Sequence, residues 1–437
     1  MTQSSRTVAT QRPVWKRAML LTTVVLTAGL TLAACAGGAA VVEMRNTASG
    51  GAPDSAGQSF PDWVRSYRGF ALSNGISAAT FDAAFANVRY NPRVTASNEN
   101  QPEFGRAFWD YVDRAVSSTR IDNGREKLNQ NRSLLNRTEE KYGVPPSIVT
   151  AIWGMESGFG GNLGSTNIVE ALATLAYSGN RRKFGSEQLL AALKILEEKD
   201  IAPNRMVGSW AGAMGHTQFI PTTYIDYAVD GDGDGLRNLW DSMPDVFGST
   251  ANYLAKKGWR RGLPCYVEVR TPPGFDYAQA DLDNSEPAST WAARGVTRVD
   301  GKPLIGPGVA AEEAVAILIP TGHEGPSFAI FENFRAVLRY NQAQTYALSV
   351  CLLANRIEGR SGISADWPRN DPPVLATAER MEVQRLLSKF DASIGEPDGV
   401  FGRKTRAAVR GFQAANGLVP DGYATQSLLR ALRAKYN

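Results

Sequence analysis

The chain is 437 residues long and 43% hydrophobic, with 47 Lys+Arg against 43 Asp+Glu, enough for two or three domains with ordinary apolar cores. Its first 34 residues hold four of the basic residues and no acidic one, so the remainder balances at 43 of each sign, and neither nucleic acid nor an electrostatically held membrane surface is favoured. The only histidines are His216 and His323, which disfavours zinc hydrolase sites built on several His ligands and leaves no recognisable Ser-His-Asp pattern.

At the N-terminus, Arg6, Arg12, Lys16 and Arg17 precede an uncharged apolar run from Ala18 to Ala34. Its 17 residues are short for a membrane span, and its small-residue end is that of a cleaved export signal. Leu32-Ala33-Ala34-Cys35 resembles a bacterial lipobox, which makes Cys35 the lipidated first residue of a membrane-anchored chain. Ala36 in the next position points to the outer membrane, facing the periplasm. Residues 35–58 are rich in Gly, Ala and Ser and read as a flexible tether. With Cys35 acylated, Cys265 and Cys351 remain as an even pair, open to a disulfide or to two separate buried thiols.

From Phe60 to about Leu135 the pattern is helical: Trp63, Tyr67 and Phe70 recur at helical spacing, as do Phe108, Tyr111 and Ala115. Tyr142-Gly143-Val144-Pro145-Pro146 then opens a helix, with proline near its first turn where a missing N–H does no harm. Ile148, Ile152 and Met155 form its apolar stripe, Glu156 lies at the edge of that stripe, and Ser157-Gly158-Phe159-Gly160 ends it. A carboxyl placed so is partly desolvated, and its pKa rises toward that of a general acid. The segment alone also allows a structural carboxylate paired with an arginine.

Farther along, Gly208-Ser209-Trp210-Ala211-Gly212-Ala213-Met214-Gly215-His216-Thr217-Gln218-Phe219-Ile220-Pro221 joins small residues, which let backbone approach a ligand, to Gln218, a donor and acceptor suited to sugar hydroxyl and acetamido groups. Asp230-Gly231-Asp232-Gly233-Asp234-Gly235 places carboxylates at positions 1, 3 and 5 of a loop, with Gly at position 6 and the Leu236 carbonyl at position 7. That is the pattern of a structural Ca2+ loop, although position 12 is Asp241 rather than the usual Glu. Tyr266-Val267-Glu268-Val269 and Ala316-Ile317-Leu318-Ile319 mark a small β-rich insertion. Helical pattern returns from Phe331 to about Arg356. A Pro- and Gly-rich linker, 359–375, leads to a compact unit at 376–437.

The helix leading to Glu156-Ser157, followed by Ala211-Gly212-Ala213-Met214-Gly215 and Gln218-Phe219-Ile220-Pro221, resembles the membrane-bound lytic murein transglycosylase B family, as do Arg181-Arg182, Asn238-Leu239-Trp240-Asp241, Asn252-Tyr253 and Tyr340-Asn341. The resemblance implies a mainly α, lysozyme-like catalytic domain over residues 59–358. It implies non-hydrolytic cleavage of the β-1,4 bond between N-acetylmuramic acid and N-acetylglucosamine, leaving a 1,6-anhydro end. By position, Glu156 is the acid and then the base. Ser209 and Gln218 contact the sugar, and Arg181, Arg182, Tyr253, Tyr340 and Asn341 line the saccharide groove. Asp245 closes the metal loop of Asp230, Asp232, Asp234 and Leu236. The sequence departs from the family at His216-Thr217, where an aromatic and a glycine are expected. Residues 376–437, through Asp398-Gly399-Val400-Phe401-Gly402-Arg403-Lys404-Thr405, Phe412-Gln413 and Asp421-Gly422, resemble the peptidoglycan-binding domain 1 family, which implies a three-helix module holding the enzyme on its polymer.

One carboxylate suits this chemistry, because the substrate's own 6-hydroxyl replaces the attacking water of a two-carboxylate hydrolase. Two other readings stand beside it: a hydrolytic muramidase on a similar fold, and a wall-binding lipoprotein without catalysis. No cofactor is implied beyond the Ca2+.

Overall fold

Local signals set the N-terminal helices. Ser59 caps α1 (Phe60–Ser73) by accepting from the Asp62 N–H, Ser77 caps α2 (Ala78–Phe85), and Ser117 caps α5 (Ser118–Gln130). Between them lie α3 (Pro92–Glu99) and α4 (Phe108–Ala115), and α6 (Arg132–Tyr142) follows. This computed structural model describes residues 51–99, 107–369 and 375–436; the leader, Cys35 and most of the tether lie outside the described residues. Trp63 and Tyr67 are buried as their spacing predicts, with ring centroids 5.1 Å apart. On α4 the expected stripe is displaced: Val112 and Ala115 are buried, whereas Tyr111 is exposed.

The second group of helices forms the main core. It comprises α7 (Pro146–Ser157), α8 (Ile168–Tyr177), α9 (Arg182–Glu197), α10 (Pro221–Tyr227) and α11 (Met243–Lys256). Every residue of α7 from Ser147 to Gly154 is buried. Helices α8 and α9 cross closely at Gly185, where an added Cβ would lie 2.4 Å from the Ala176 nitrogen. A two-residue ladder of β1 (Thr166–Asn167) with β2 (Val207–Gly208) ties the start of α8 to the glycine-rich segment.

The insertion contains β3 (Tyr266–Arg270), β4 (Glu286–Pro287), α12 (Ala288–Ala293), β5 (Thr297–Arg298), β6 (Ala314–Leu318) and β7 (Ser327–Ile330), in an antiparallel sheet of order β4-β6-β7-β3-β5. Its two faces serve different cores. Ala316, Leu318, Phe328 and Ile330 face the helices, while Val315, Ile317 and Ala329 face a second cluster around Trp291 and Phe331. Both faces are covered, so β6 reads in sequence as a continuous apolar run.

Helices α13 (Glu332–Tyr340) and α14 (Gln344–Ile357) complete the main helical unit. The chain beyond is laced to it: the Glu268 carboxylate accepts the N–H groups of Ser364 and Ala365 at 2.7 and 2.8 Å, and Trp367 packs on Phe108. Helices α15 (Thr377–Leu387), α16 (Arg403–Ala415) and α17 (Gln426–Tyr436) enclose a separate core of Val383, Leu386, Val409, Phe412 and Leu429. The mainly α architecture with a β-rich insertion and a terminal three-helix unit is as the sequence predicts. Cys265 and Cys351 line one cavity as free thiols, so the disulfide left open by the sequence is not formed. Among the described residues no helix is long and apolar enough to cross a membrane.

Candidate active site

Glu156 occupies the last turn of α7, half-buried, and its Oε1 accepts a 2.5 Å hydrogen bond from the Tyr346 hydroxyl of α14. Burial lifts its carboxyl from 4.5 to about 7, against the lowering effect of the Tyr346 bond. No neighbouring carboxylate contributes to that rise.

The turn after Glu156 is held by three features. Gly158 and Phe159 both take positive φ, 59° and 61°, so the chain reverses and drives the Phe159 ring back against α7. There Gly154 makes room: a Cβ would sit 2.5 Å from that ring. Glycine inside a helix costs about 1 kcal/mol, which the close packing offsets. Ser157 Oγ donates to the His216 carbonyl at 2.7 Å and accepts from the Gly160 N–H at 3.0 Å.

His216 itself is a joint. Its Nδ1 accepts from Trp153 Nε1–H at 2.9 Å, so its other nitrogen carries the proton and donates to the Trp240 carbonyl at 3.2 Å. Burial lowers its pKa, in keeping with the neutral ring. The departure from the family pattern at 216 is therefore satisfied on both nitrogens. Thr217 is buried, and its Oγ1 has no hydrogen-bond partner among the described residues.

The glycine-rich segment folds into a tight ribbon, Met214 bridging both Gly208 and Phe219. Gly208 permits it, since a Cβ there would meet the Ala213 oxygen at 2.1 Å. Ser209 Oγ accepts from the Ala211 and Ala213 N–H groups. Gln218 takes φ +52°, strained for a side-chain-bearing residue. Its amide nitrogen donates to the carbonyls of Gly215 (2.9 Å) and Leu163 (3.3 Å), which turns the amide oxygen into the acceptor it can offer a ligand.

An aromatic wall runs away from Glu156. Tyr346 and Tyr340 lie parallel with centroids 6.5 Å apart, and Tyr340 meets Tyr253 edge-on at 4.9 Å. Phe219 touches Tyr340 and Tyr253, and Tyr227 continues the row at 4.8 Å from Tyr253. The Tyr340 hydroxyl donates to the Thr217 carbonyl and the Tyr253 hydroxyl to the Arg339 carbonyl; Tyr253 is buried and Tyr340 half-buried.

The structure thus brings Glu156, Gln218, Tyr253 and Tyr340 into one continuous cluster, with Ser209 in the adjoining ribbon. Asn341 is exposed, its side chain accepting from the Ala343 N–H. Arg181 lies over the Phe184 ring at 4.2 Å, and Arg182 pairs with Asp54 and Ser55; among the described residues none of these contacts reaches the Glu156 cluster. Sequence reasoning missed Tyr346, Tyr227 and Phe219 as site residues.

At the acidic loop, carboxylate oxygens of Asp230, Asp232 and Asp245 lie within 4.8 Å of one another. Asp245 is fully buried; it accepts from the N–H groups of Gly231 (2.7 Å) and Asn238 (2.6 Å), and burial raises its pKa, with the Asp232 charge adding to the rise. Three converging hard oxygens, one of them buried, fit a calcium-type cation. Two other carboxylates of the loop region stand apart from these three. Exposed Asp234 stands outside this cluster, its Oδ1 taken by the Leu236 N–H. Asp241, at position 12, pairs instead with Arg205 and Asn238.

With this geometry in view, residues 59–355 match the Transglycosylase SLT domain family, and residues 377–432 match the peptidoglycan binding domain family. The chain belongs to the SLT lytic transglycosylase family. It is 32% identical over 264 residues to membrane-bound lytic murein transglycosylase B of Escherichia coli, covering 57% of this chain and 67% of that one. The structure of SltB3 from Pseudomonas aeruginosa in complex with NAG-anhNAM-pentapeptide is 46% identical with TM-score 0.83, covering 86% of this chain and all of that one. Escherichia coli SLT35 in complex with calcium is 30% identical with TM-score 0.58, covering 68% and 92%.

Proposed function

We propose that the protein cleaves the β-1,4 bond between N-acetylmuramic acid and N-acetylglucosamine of peptidoglycan without water, forming 1,6-anhydro-N-acetylmuramic acid. The observation carrying this reading is the carboxyl of Glu156, raised to about 7 by burial, with no second carboxylate among the described residues contributing to that rise. Two-carboxylate hydrolysis needs a partner. Here Glu156 gives its proton to the leaving oxygen as the bond from C1 to O4 breaks. The resulting carboxylate then takes the proton from the 6-hydroxyl as O6 bonds to C1. The Tyr346 bond holds one carboxyl oxygen still and leaves the other to the substrate. Gln218 and Ser209 meet the sugar near the cleaved bond. Tyr253 and Tyr340 line the saccharide groove, with Arg181, Arg182 and Asn341 extending it.

In the same reading, the chain is exported, cleaved before Cys35 and held by lipid at the outer membrane facing the periplasm. Residues 35–58 form the tether, 59–358 the catalytic domain, 359–375 the linker and 376–437 the wall-binding domain. The Asp230, Asp232 and Asp245 carboxylates with the Leu236 carbonyl hold a structural Ca2+.

Mass spectrometry of muropeptides released from purified sacculi tests the activity. Anhydro-muramoyl ends from wild type, absent with Glu156→Gln, are expected. Reducing muramic ends mean a hydrolase, and binding without release means a wall-binding protein.

A further inference from the structure

His216 sits where the end of α7, the turn after it, the Gln218 ribbon and the segment before α11 meet. Toward α7, its Nδ1 accepts from the Trp153 indole N–H at 2.9 Å, and the two ring centroids are 5.8 Å apart. Toward α11, its Nε2–H donates to the Trp240 carbonyl at 3.2 Å. The backbone of His216 is engaged as well. Its carbonyl accepts from Ser157 Oγ at 2.7 Å, and its N–H donates to the Leu239 carbonyl at 2.9 Å. The turn leaves the ring its place only because residue 160 is glycine, where a Cβ would lie 2.4 Å from the ring. All four polar groups of His216 therefore join the helix of Glu156 to neighbouring segments, and Gln218 follows two residues later on the same ribbon.

This arrangement works in one protonation state only. An indole nitrogen donates and never accepts, so the Trp153 bond requires a lone pair on Nδ1. An imidazolium has N–H on both nitrogens, and protonation would set two N–H groups against each other in a half-buried place. The ring is surrounded by uncharged side chains, Trp153, Ser157, Leu239 and Trp240. Asp241 is the charged residue that acts on it among the described residues, and burial outweighs that attraction, holding the ring below the ordinary histidine value of 6.5. A ring driven off Trp153 carries the ribbon with it. The Gln218 amide is held only by its bonds to the Gly215 and Leu163 carbonyls, and Gln218 already takes φ +52°.

We propose that His216 is a positioning residue for glycan cleavage: neutral, it clamps the Gln218 ribbon to the end of α7 so that Gln218 and Glu156 meet the same sugar, and protonated, it releases that clamp. The proposal rests on the reading of Gln218 as a sugar contact. Its consequence is that the acid limb of activity belongs to His216 and the alkaline limb to Glu156. A chain with an uncharged aromatic at this position has no such acid limb.

Two measurements on the full chain test it. In the first, isotope-labelled protein is titrated with acid and followed by nuclear magnetic resonance. His216 and His323 are the only histidines, so His216→Gln identifies the ring signal. The Trp153 indole and the Gln218 side-chain amide should shift with the midpoint of the His216 ring, and hold still in His216→Gln. A Gln218 amide that ignores the His216 titration, or a ring that stays neutral until the chain unfolds, overturns the proposal whatever the activity. In the second, cleavage of purified sacculi is followed from roughly pH 4 to 9 as total glycan ends released, so that either product chemistry counts. His216→Phe leaves the Trp153 N–H without an acceptor and should lower the rate about tenfold at every pH, with its fold checked by melting. His216→Gln, whose amide can accept from Trp153 and donate to Trp240 without titrating, should restore much of that rate and lose the acid limb. A wild type without an acid limb, a limb unmoved in His216→Gln, or a folded His216→Phe of full activity each overturns the proposal. Failure of the wild type to cleave at all counts against the cleavage reading, and the resonance titration still decides the role of His216.

Discussion

Replacing Glu156 by Gln should abolish activity and, at alkaline pH, stabilise the fold. The carboxyl rises from 4.5 to about 7 on folding because burial penalises its charged form. The folded state therefore binds the proton more tightly than the unfolded chain, and stability is full below the unfolded value and lost as pH climbs through the folded one. A shift of about 2.5 units at roughly 1.4 kcal/mol each gives a penalty of about 3 kcal/mol once both states are ionised. Glutamine keeps the shape, accepts the Tyr346 hydrogen bond through its carbonyl and has no charge to desolvate. Urea denaturation of wild type and variant should coincide near pH 4 and separate in favour of the variant by up to about 3 kcal/mol above roughly pH 8. A difference that does not change with pH would refute burial as the source of the raised pKa, and with it the argument that Glu156 is poised as an acid.

Three further outcomes follow from the same geometry. Tyr346→Phe removes the one contact that lowers the Glu156 pKa, so the alkaline limb of the kcat/KM profile should move to higher pH while kcat falls by about tenfold; an unmoved limb would mean the bond does not reach the working carboxyl. Calcium at about a hundred times its Kd should stabilise the wild type by nearly 3 kcal/mol, read as a rise in Tm, and Asp245→Asn should abolish that rise; an equal rise in both would place the ion elsewhere. Gly208→Ala would force a Cβ to 2.1 Å from the Ala213 oxygen. It should cost about 3 kcal/mol and inactivate the enzyme by opening the Gln218 ribbon, whereas normal activity would show that the ribbon tolerates displacement.

Glu156 was legible because its signals are local: proline opens α7, an apolar stripe runs down it, and glycine turns the chain just beyond. The acidic loop was legible for the same reason, but only in part. Spacing alone cannot say which carboxylates turn inward: the oxygens of Asp230, Asp232 and buried Asp245 converge, while Asp234 stays exposed. Tyr346 was invisible because it stands 190 residues from Glu156 and meets it only through the packing of α14 on α7. In sequence it is one more aromatic on a buried helix face. Tyr340 and Tyr253 came through family likeness, yet their roles shift once the hydroxyls are seen bonded to main-chain carbonyls.

His216 carries the same logic one step farther. Composition made it one of two histidines and so an argument against zinc chemistry, and its place in the motif made it a departure. In the fold it closes a circuit of Trp153, Ser157 and Trp240, joining the end of α7 to the Gln218 ribbon. A position that differs from its family can therefore still hold the site together, provided the new side chain satisfies every polar group the neighbours present. The two ring nitrogens of a neutral imidazole, one donor and one acceptor, meet that demand where a phenylalanine would leave the Trp153 N–H without an acceptor.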